Sequence, residues 1–240
     1  MSDPMTMYSG QGRGPLDPDM VQLISASIAF VGTHFALSHP LRAPLVRVLK
    51  ESGFMLVYSV VAFVTLGWMA HAFMAVDAPG LGGSGDVGWA IASLLTLVAL
   101  VLFFGSLWRN PALPAPGAQK DAAERAPSGA FAVTRHPMMW GFALWALAHI
   151  ALWWSWRTNV VALAILVLAL LGAHLQDRKK RRLMGEAWAS WEARTSYWPR
   201  WAKLLRAGWL LWLVAIIAWL AITYGHIHAG GIPAGLWRWS

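Results

Sequence analysis

The chain has 240 residues, 58% of them hydrophobic and only 12% charged, about half the charged share of a soluble domain, which excludes an ordinary soluble fold. It carries seventeen tryptophans, a residue of the membrane–water boundary, and no cysteine, which excludes disulfides, thiolate metal sites and a cysteine nucleophile. The formal charge of +8 fits the basic cytoplasmic loops of a membrane protein rather than nucleic-acid binding.

Residues 1–19 are polar, hold one arginine, Arg13, and lack the basic n-region of a signal peptide. They read as a disordered tail. Met20 to Leu37 is the first apolar span, with His34 inside it and His39 just after it. Over Ser38 to Ser52, Arg42, Arg47 and Lys50 alternate with leucines and Val48, the pattern of a short interfacial amphipathic helix. Gly53 to Val76 is the second span, and Asp77 to Asp86 is a Gly-rich acidic turn. Val87 to Trp108 is the third span. The Pro/Ala/Gly-rich connection from Arg109 to Thr134 shows no apolar face and reads as a flexible loop.

Thr134 to His149 is the most informative stretch. Proline is tolerated in a first helical turn, so a helix begins near Pro137 with Arg135 and His136 at its mouth. It runs apolar to about Trp154, and Ser155 to Thr158 turns the chain. Asn159 to about His174 is the fifth span, followed by the basic run QDRKKRR. Met184, Trp188, Trp191, Thr195 and Trp198 then recur at helical spacing, predicting an interfacial helix that ends before Pro199. Ala207 to about Thr223 is the sixth span, with a Gly-rich trailing end.

The expected fold is therefore all-α: a polytopic membrane helix bundle of about six transmembrane helices plus interfacial amphipathic helices. Residues 20–206 form a membrane domain with five spans and an interfacial helix, and 207–240 add a C-terminal span and tail. The segments 38–52, 109–135 and 176–206 hold sixteen of the nineteen lysines and arginines. All three fall on one side, so the positive-inside rule places them in the cytoplasm and both termini outside an inner membrane. There is no phosphate-cradling glycine loop and no Ser-His-Asp arrangement.

Ionisable groups within a span usually mark function. His149 lies roughly 18 Å along its helix from Pro137. It reads either as a histidine hydrogen-bonded to a neighbouring helix or as an axial ligand to haem iron. His34 is about 12 Å from Arg42, shallower than His149, and helix tilt would have to level the two. Otherwise His39, His136 or His174 is the candidate partner. Arg135 and His136 at the helix mouth read as a cap with a snorkelling arginine, or as a site for a carboxylate or propionate. Asp177 pairs with Arg178 or Arg181, or orients a histidine. His71 reads as packing, and His226 and His228 point away from one another on a helix.

Three motifs in order, SASIAFVGTHFALSHPLRAPL, RHPMMWGFALWALAHI and GAHLQDRKKRR, resemble the NnrU family of membrane proteins. That family is similar to the 15-cis-zeta-carotene isomerase, in which two histidines hold a b-type haem that isomerises a polyene double bond. The resemblance implies haem b, with His34 and His149 as catalytic iron ligands and Arg135 and His136 beside the cofactor. His39, Arg42, His174, Asp177 and Arg178 are the further candidates. The isomerase has a cysteine three positions before its second ligand; here that position is Ala146. The family is associated with nitrogen-oxide metabolism in denitrifying bacteria. The implied partners are the lipid bilayer and a hydrophobic small molecule or redox partner. A shorter resemblance, to the isoprenylcysteine and phospholipid methyltransferases, implies instead S-adenosylmethionine held by Arg135, His136 and Glu186. A third reading is a non-enzymatic subunit that assists assembly of a nitric-oxide-handling complex.

Overall fold

A computed structural model describes residues 17–77, 80–113 and 117–240; the tail expected over 1–19 lies outside it up to residue 16. Nine α-helices form among the described residues: α1 (Pro18–Ser38), α2 (Arg42–Ala75), α3 (Gly85–Gly105), α4 (Ala118–Glu124), α5 (Ala130–Val133), α6 (Pro137–Leu152), α7 (Trp156–Met184), α8 (Glu186–Arg194) and α9 (Trp209–Gly230). Five of them, α1, α2, α3, α7 and α9, are long and apolar enough to cross a membrane. The all-α polytopic membrane bundle read from the sequence is the fold.

The sixth apolar helix, α6, has only 16 residues, about 24 Å of rise against a hydrocarbon core of about 30 Å. It is the most enclosed of the six, burying Trp140, Ala143, Leu144, Ala146 and Ala148. Surrounded by other helices, it has little need to match the bilayer. Trp153, in the left-handed region at φ 50°, ends it.

Packing gives the helices a serial order: α2 on α1, α1 on α7, α7 on α6, α6 on α3 and α3 on α9, with α2 touching α7 only lightly. Small residues set the closest approach, as expected where lipid gives helices no hydrophobic drive to associate. A Cβ on Gly141 of α6 would lie 2.8 Å from the Ala99 carbonyl oxygen and 3.3 Å from the Phe103 nitrogen of α3. Around this contact Leu102, Trp140, Ala143 and Leu144 form one buried cluster.

The interfacial segment expected before the second span is the first part of α2, which breaks at Lys50 (φ 61°, ψ 172°). Arg42 and Glu51, 2.5 Å apart, bridge the break. On the opposite side of the bundle, Leu81 and Gly83 donate backbone bonds to Trp154 and Trp153, and Arg157 donates to the Val76 carbonyl at 2.8 Å.

Three sequence expectations are corrected. The 109–134 connection is not simply a flexible loop, because it contains α4 and α5 and has a buried face. Ala112, Ala122 and Phe131 pack on Trp188 and Trp191, which are both fully buried. Alanines supply too little hydrophobicity to mark that face in a sequence. Arg194 donates to the carbonyls of Ala122, Ala123 and Arg125, satisfying the open end of α4. The interfacial helix is also shorter than expected, Glu186–Arg194, and its tryptophan stripe faces protein rather than lipid headgroups. The C-terminal end does not trail off: Trp237 donates to the Leu220 carbonyl at 3.1 Å, and Arg238 pairs with Asp86 at 2.9 Å.

Replacing Gly141 by Ala forces α6 away from the α3 backbone and should destabilise the bundle by about 1–3 kcal/mol. Gly67→Ala, with nothing within 4 Å of its Cβ, should not. Thermal unfolding in detergent compares the two, and an unchanged midpoint for Gly141→Ala contradicts the close approach.

Candidate functional site

The mouth of α6 is held by a second segment of chain. Arg135 N–H donates to Ser196 O and Arg200 N–H to Val133 O, both at 2.8 Å. The Thr134 hydroxyl and the Trp140 indole N–H both donate to Tyr197 O, at 2.8 and 2.9 Å. The Tyr197 ring lies under the Arg135 guanidinium. Its hydroxyl donates to the Leu170 carbonyl, and burial beside the Asp177 carboxylate pushes its pKa above the ordinary range.

Asp177 of α7 closes this junction. Its carboxylate accepts from Arg135 Nε at 2.9 Å and Nη2 at 2.6 Å, and it lies 2.8 Å from His136 Nε2. A carboxylate only accepts, so His136 carries its proton on Nε2. The three side chains are 12%, 5% and 0% exposed for Arg135, Asp177 and His136. Glu192 lies 3.5 Å from Arg135 and forms a two-bond pair with Arg181. The anion expected at this helix mouth is thus the chain's own Asp177. It pairs with Arg135 rather than Arg178, which is exposed, and the histidine it orients is His136. His174 is also exposed, on the outer face of α7.

Two apolar cavities lie between α2 and α6, so the row of helices curls back on itself. The first, about 530 Å³, opens toward the basic end and is lined by His34, His39, Arg42, Lys179 and Lys180 among apolar residues. Burial, with Lys179 and Arg182 nearby, lowers the pKa of His39. The second, about 420 Å³, lies toward the opposite end of the bundle and is lined by His149, His226, Ser93, Thr96 and Trp145. Leu66, Phe142 and Ile165 line both and form the wall between them. Both volumes are in the range of about 300–1,000 Å³ typical of small-molecule and cofactor sites.

The histidines of these cavities share one local geometry. Nδ1 of His34 is 2.7 Å from Phe30 O, that of His149 is 2.8 Å from Trp145 O, and that of His226 is 2.9 Å from Ile222 O. Each carbonyl belongs to the residue four positions earlier and can only accept. Nδ1 therefore carries the proton, and Nε2 keeps a free lone pair. This is how ligating histidines are usually oriented. His149 also stacks on Trp145 with ring centres 4.2 Å apart.

Two axial imidazoles must face one another across one space. His34 and His149 line adjoining cavities, separated by Leu66, Phe142 and Ile165, so the expected pair is not brought together. His149 and His226 do line a single cavity, and both offer a free Nε2. Sequence spacing could not find His226, because only the docking of α9 on α3 brings it there. Arg135 and His136 line neither cavity, and Glu186 is exposed on α8. The three residues expected to hold S-adenosylmethionine share no pocket with the histidines.

Asp177→Ala would leave a buried guanidinium and a buried imidazole without their shared partner. The expected loss of stability is about 3–5 kcal/mol, read as a lower unfolding midpoint in detergent. Arg178→Ala, at an exposed position, should change stability by less than about 0.5 kcal/mol. Equal midpoints for the two variants would contradict the junction.

The profile of a family described as NnrU protein matches residues 22–234, which takes in all six apolar helices. No curated protein matches the chain and no solved structure does. The chain belongs to the NnrU family.

Proposed function

We propose that this NnrU protein is an intramembrane b-type haem protein with His149 as its anchoring axial ligand and His226 as the second. The observation that carries this reading is the cavity histidine pair, each with Nδ1 committed to a backbone carbonyl and Nε2 free. Supporting it, the walls are apolar, as a porphyrin face requires, and the Ser93 hydroxyl is buried with no hydrogen-bond partner among the described residues. Haem bound between two imidazoles supplies reversible one-electron chemistry and, if one ligand leaves, an open iron position.

The chain's own residues then have separate tasks. Trp145 fixes the His149 ring by stacking and by its carbonyl. The Trp219 indole donates to the Thr96 hydroxyl at 3.0 Å, tying α9 to α3 and holding His226 against the cavity. Phe142 and Leu66 separate this chamber from the basic-end cavity, so a rotation of either side chain would join the two. His34 is the second ligand in the variant of this reading in which that wall opens.

Among the activities of haem proteins, we place this chain with redox or ligand handling in nitrogen-oxide metabolism rather than polyene isomerisation. The reason is Ala146, fully buried one turn before His149, where the isomerase has its cysteine. The three basic connections are placed in the cytoplasm on their charge. The methyltransferase reading has less support, because Asp177 already binds Arg135 and His136.

Absorption spectra of the full chain, purified in detergent and supplied with hemin, test the proposal. The wild type should give the spectrum of low-spin six-coordinate haem. His149→Ala should lose the haem or bind it weakly, and His226→Ala should become five-coordinate. His34→Ala should leave the spectrum as it is. A change with His34→Ala and none with His226→Ala moves the second ligand to His34. A colourless protein stabilised by S-adenosylmethionine overturns the haem reading in favour of a transferase.

A further inference from the structure

The basic-end cavity has a different chemistry from the histidine chamber. Its inner walls are apolar, with Phe35, Phe54 and Leu168 among them. Its polar rim is cationic. Arg42 is neutralised by Glu51, and this leaves Lys179 and Lys180. Lys180 is only 8% exposed, yet no hydrogen bond or ion pair reaches its ammonium among the described residues. Its stem is packed while the ammonium itself reaches the cavity rim, where it can take an anion. Asp177, the nearest carboxylate along α7, is already taken by Arg135 and His136. The chain thus gathers three cationic side chains, Arg42, Lys179 and Lys180, at the mouth of an apolar pocket against one rim carboxylate, Glu51, which leaves an excess of two positive charges.

We propose that this cavity binds a single-chain amphiphile with a phosphate-type head, its head at Lys180 and Lys179 and its chain along Phe35, Phe54 and Leu168. Two free ammonium groups suit a head with close to two negative charges, held by charge-assisted hydrogen bonds. The cleft between α2 and α7, which touch only lightly, gives a chain already in the bilayer a lateral way in. Ser38 and Tyr58, whose hydroxyls lie 3.4 Å apart, also line the cavity and offer neutral donors deeper than the lysines. The inference does not rest on the haem reading, whose histidine pair lies beyond Leu66 and Phe142.

The test uses the full chain in a neutral maltoside detergent, with dodecyl phosphate added at rising mole fraction and the unfolding midpoint recorded. A ligand that binds only the folded state raises the midpoint by mass action. Dodecyl phosphate should give a saturating rise, while inorganic phosphate and extra dodecyl maltoside should give none. Lys180→Met should need roughly tenfold more dodecyl phosphate for the same rise, the order expected for losing one hydrogen bond to a charged group. Lys203→Met, which does not line the cavity, should behave as wild type. Gly172→Leu fills the cavity, since a Cβ there already meets Phe35 at 4.0 Å, and it should abolish the rise. If Lys180→Met does not fold, Lys179→Met and Gly172→Leu carry the test. Three results overturn the proposal: a rise with inorganic phosphate alone, an undiminished rise in Gly172→Leu, or no rise in the wild type. Loss of the haem absorption band as dodecyl phosphate binds also overturns it, because the lysines would then serve haem propionates.

Discussion

The Asp177 carboxylate is the constraint on which the rest depends. It sits on α7 and binds two consecutive residues at the mouth of α6, Arg135 through two nitrogens and His136 through one. This fixes where α6 begins and how it is rotated about its axis. A helix is rigid over sixteen residues, so the position of His149, thirteen residues along, follows from the clamp. The Gly141 contact with the α3 backbone sets the second restraint, the distance between α6 and α3. With rotation and spacing both fixed, His149 faces the histidine-lined cavity. A buried ionic cluster of this kind is weak evidence of net stability, since desolvation offsets much of its attraction. Its value here is geometric.

The cavities follow from the serial packing of the helices. A row of helices that curls leaves a concave interior, and α2 closes it by leaning on α1 more than on α7. The interior is divided by Leu66, Phe142 and Ile165 into two chambers of opposite character. One is lined by two histidines and by no lysine, arginine or carboxylate. The other has an excess of lysine and arginine charge at its rim. The chain holds positive charge at the basic end and keeps the histidine-lined chamber at the opposite end free of it.

Much of this was legible in the sequence. The apolar runs and the Pro137 start gave the membrane helices, and RHP with a histidine thirteen positions later placed Arg135, His136 and His149 along one helix, α6. Three features were not legible, each for a physical reason. That His149 and His226 line one cavity depends on α9 docking against α3, a contact between residues far apart in sequence. The choice of Asp177 for Arg135 rather than Arg178 depends on helix phase: Arg178, next in sequence, points outward. The folded 109–134 connection hides its apolar face in alanines and one phenylalanine, and its partners Trp188 and Trp191 look like membrane anchors until their burial is seen.

The central claim is that His149 offers an unprotonated Nε2 to the histidine-lined cavity. Nitrogen-15 NMR of haem-free protein labelled at histidine reads the tautomer directly, with the His149 signal assigned by its disappearance in His149→Ala. The account predicts a neutral ring protonated at Nδ1, held by the Trp145 carbonyl, with Nε2 bare. A ring protonated at Nε2, or an imidazolium, would contradict it.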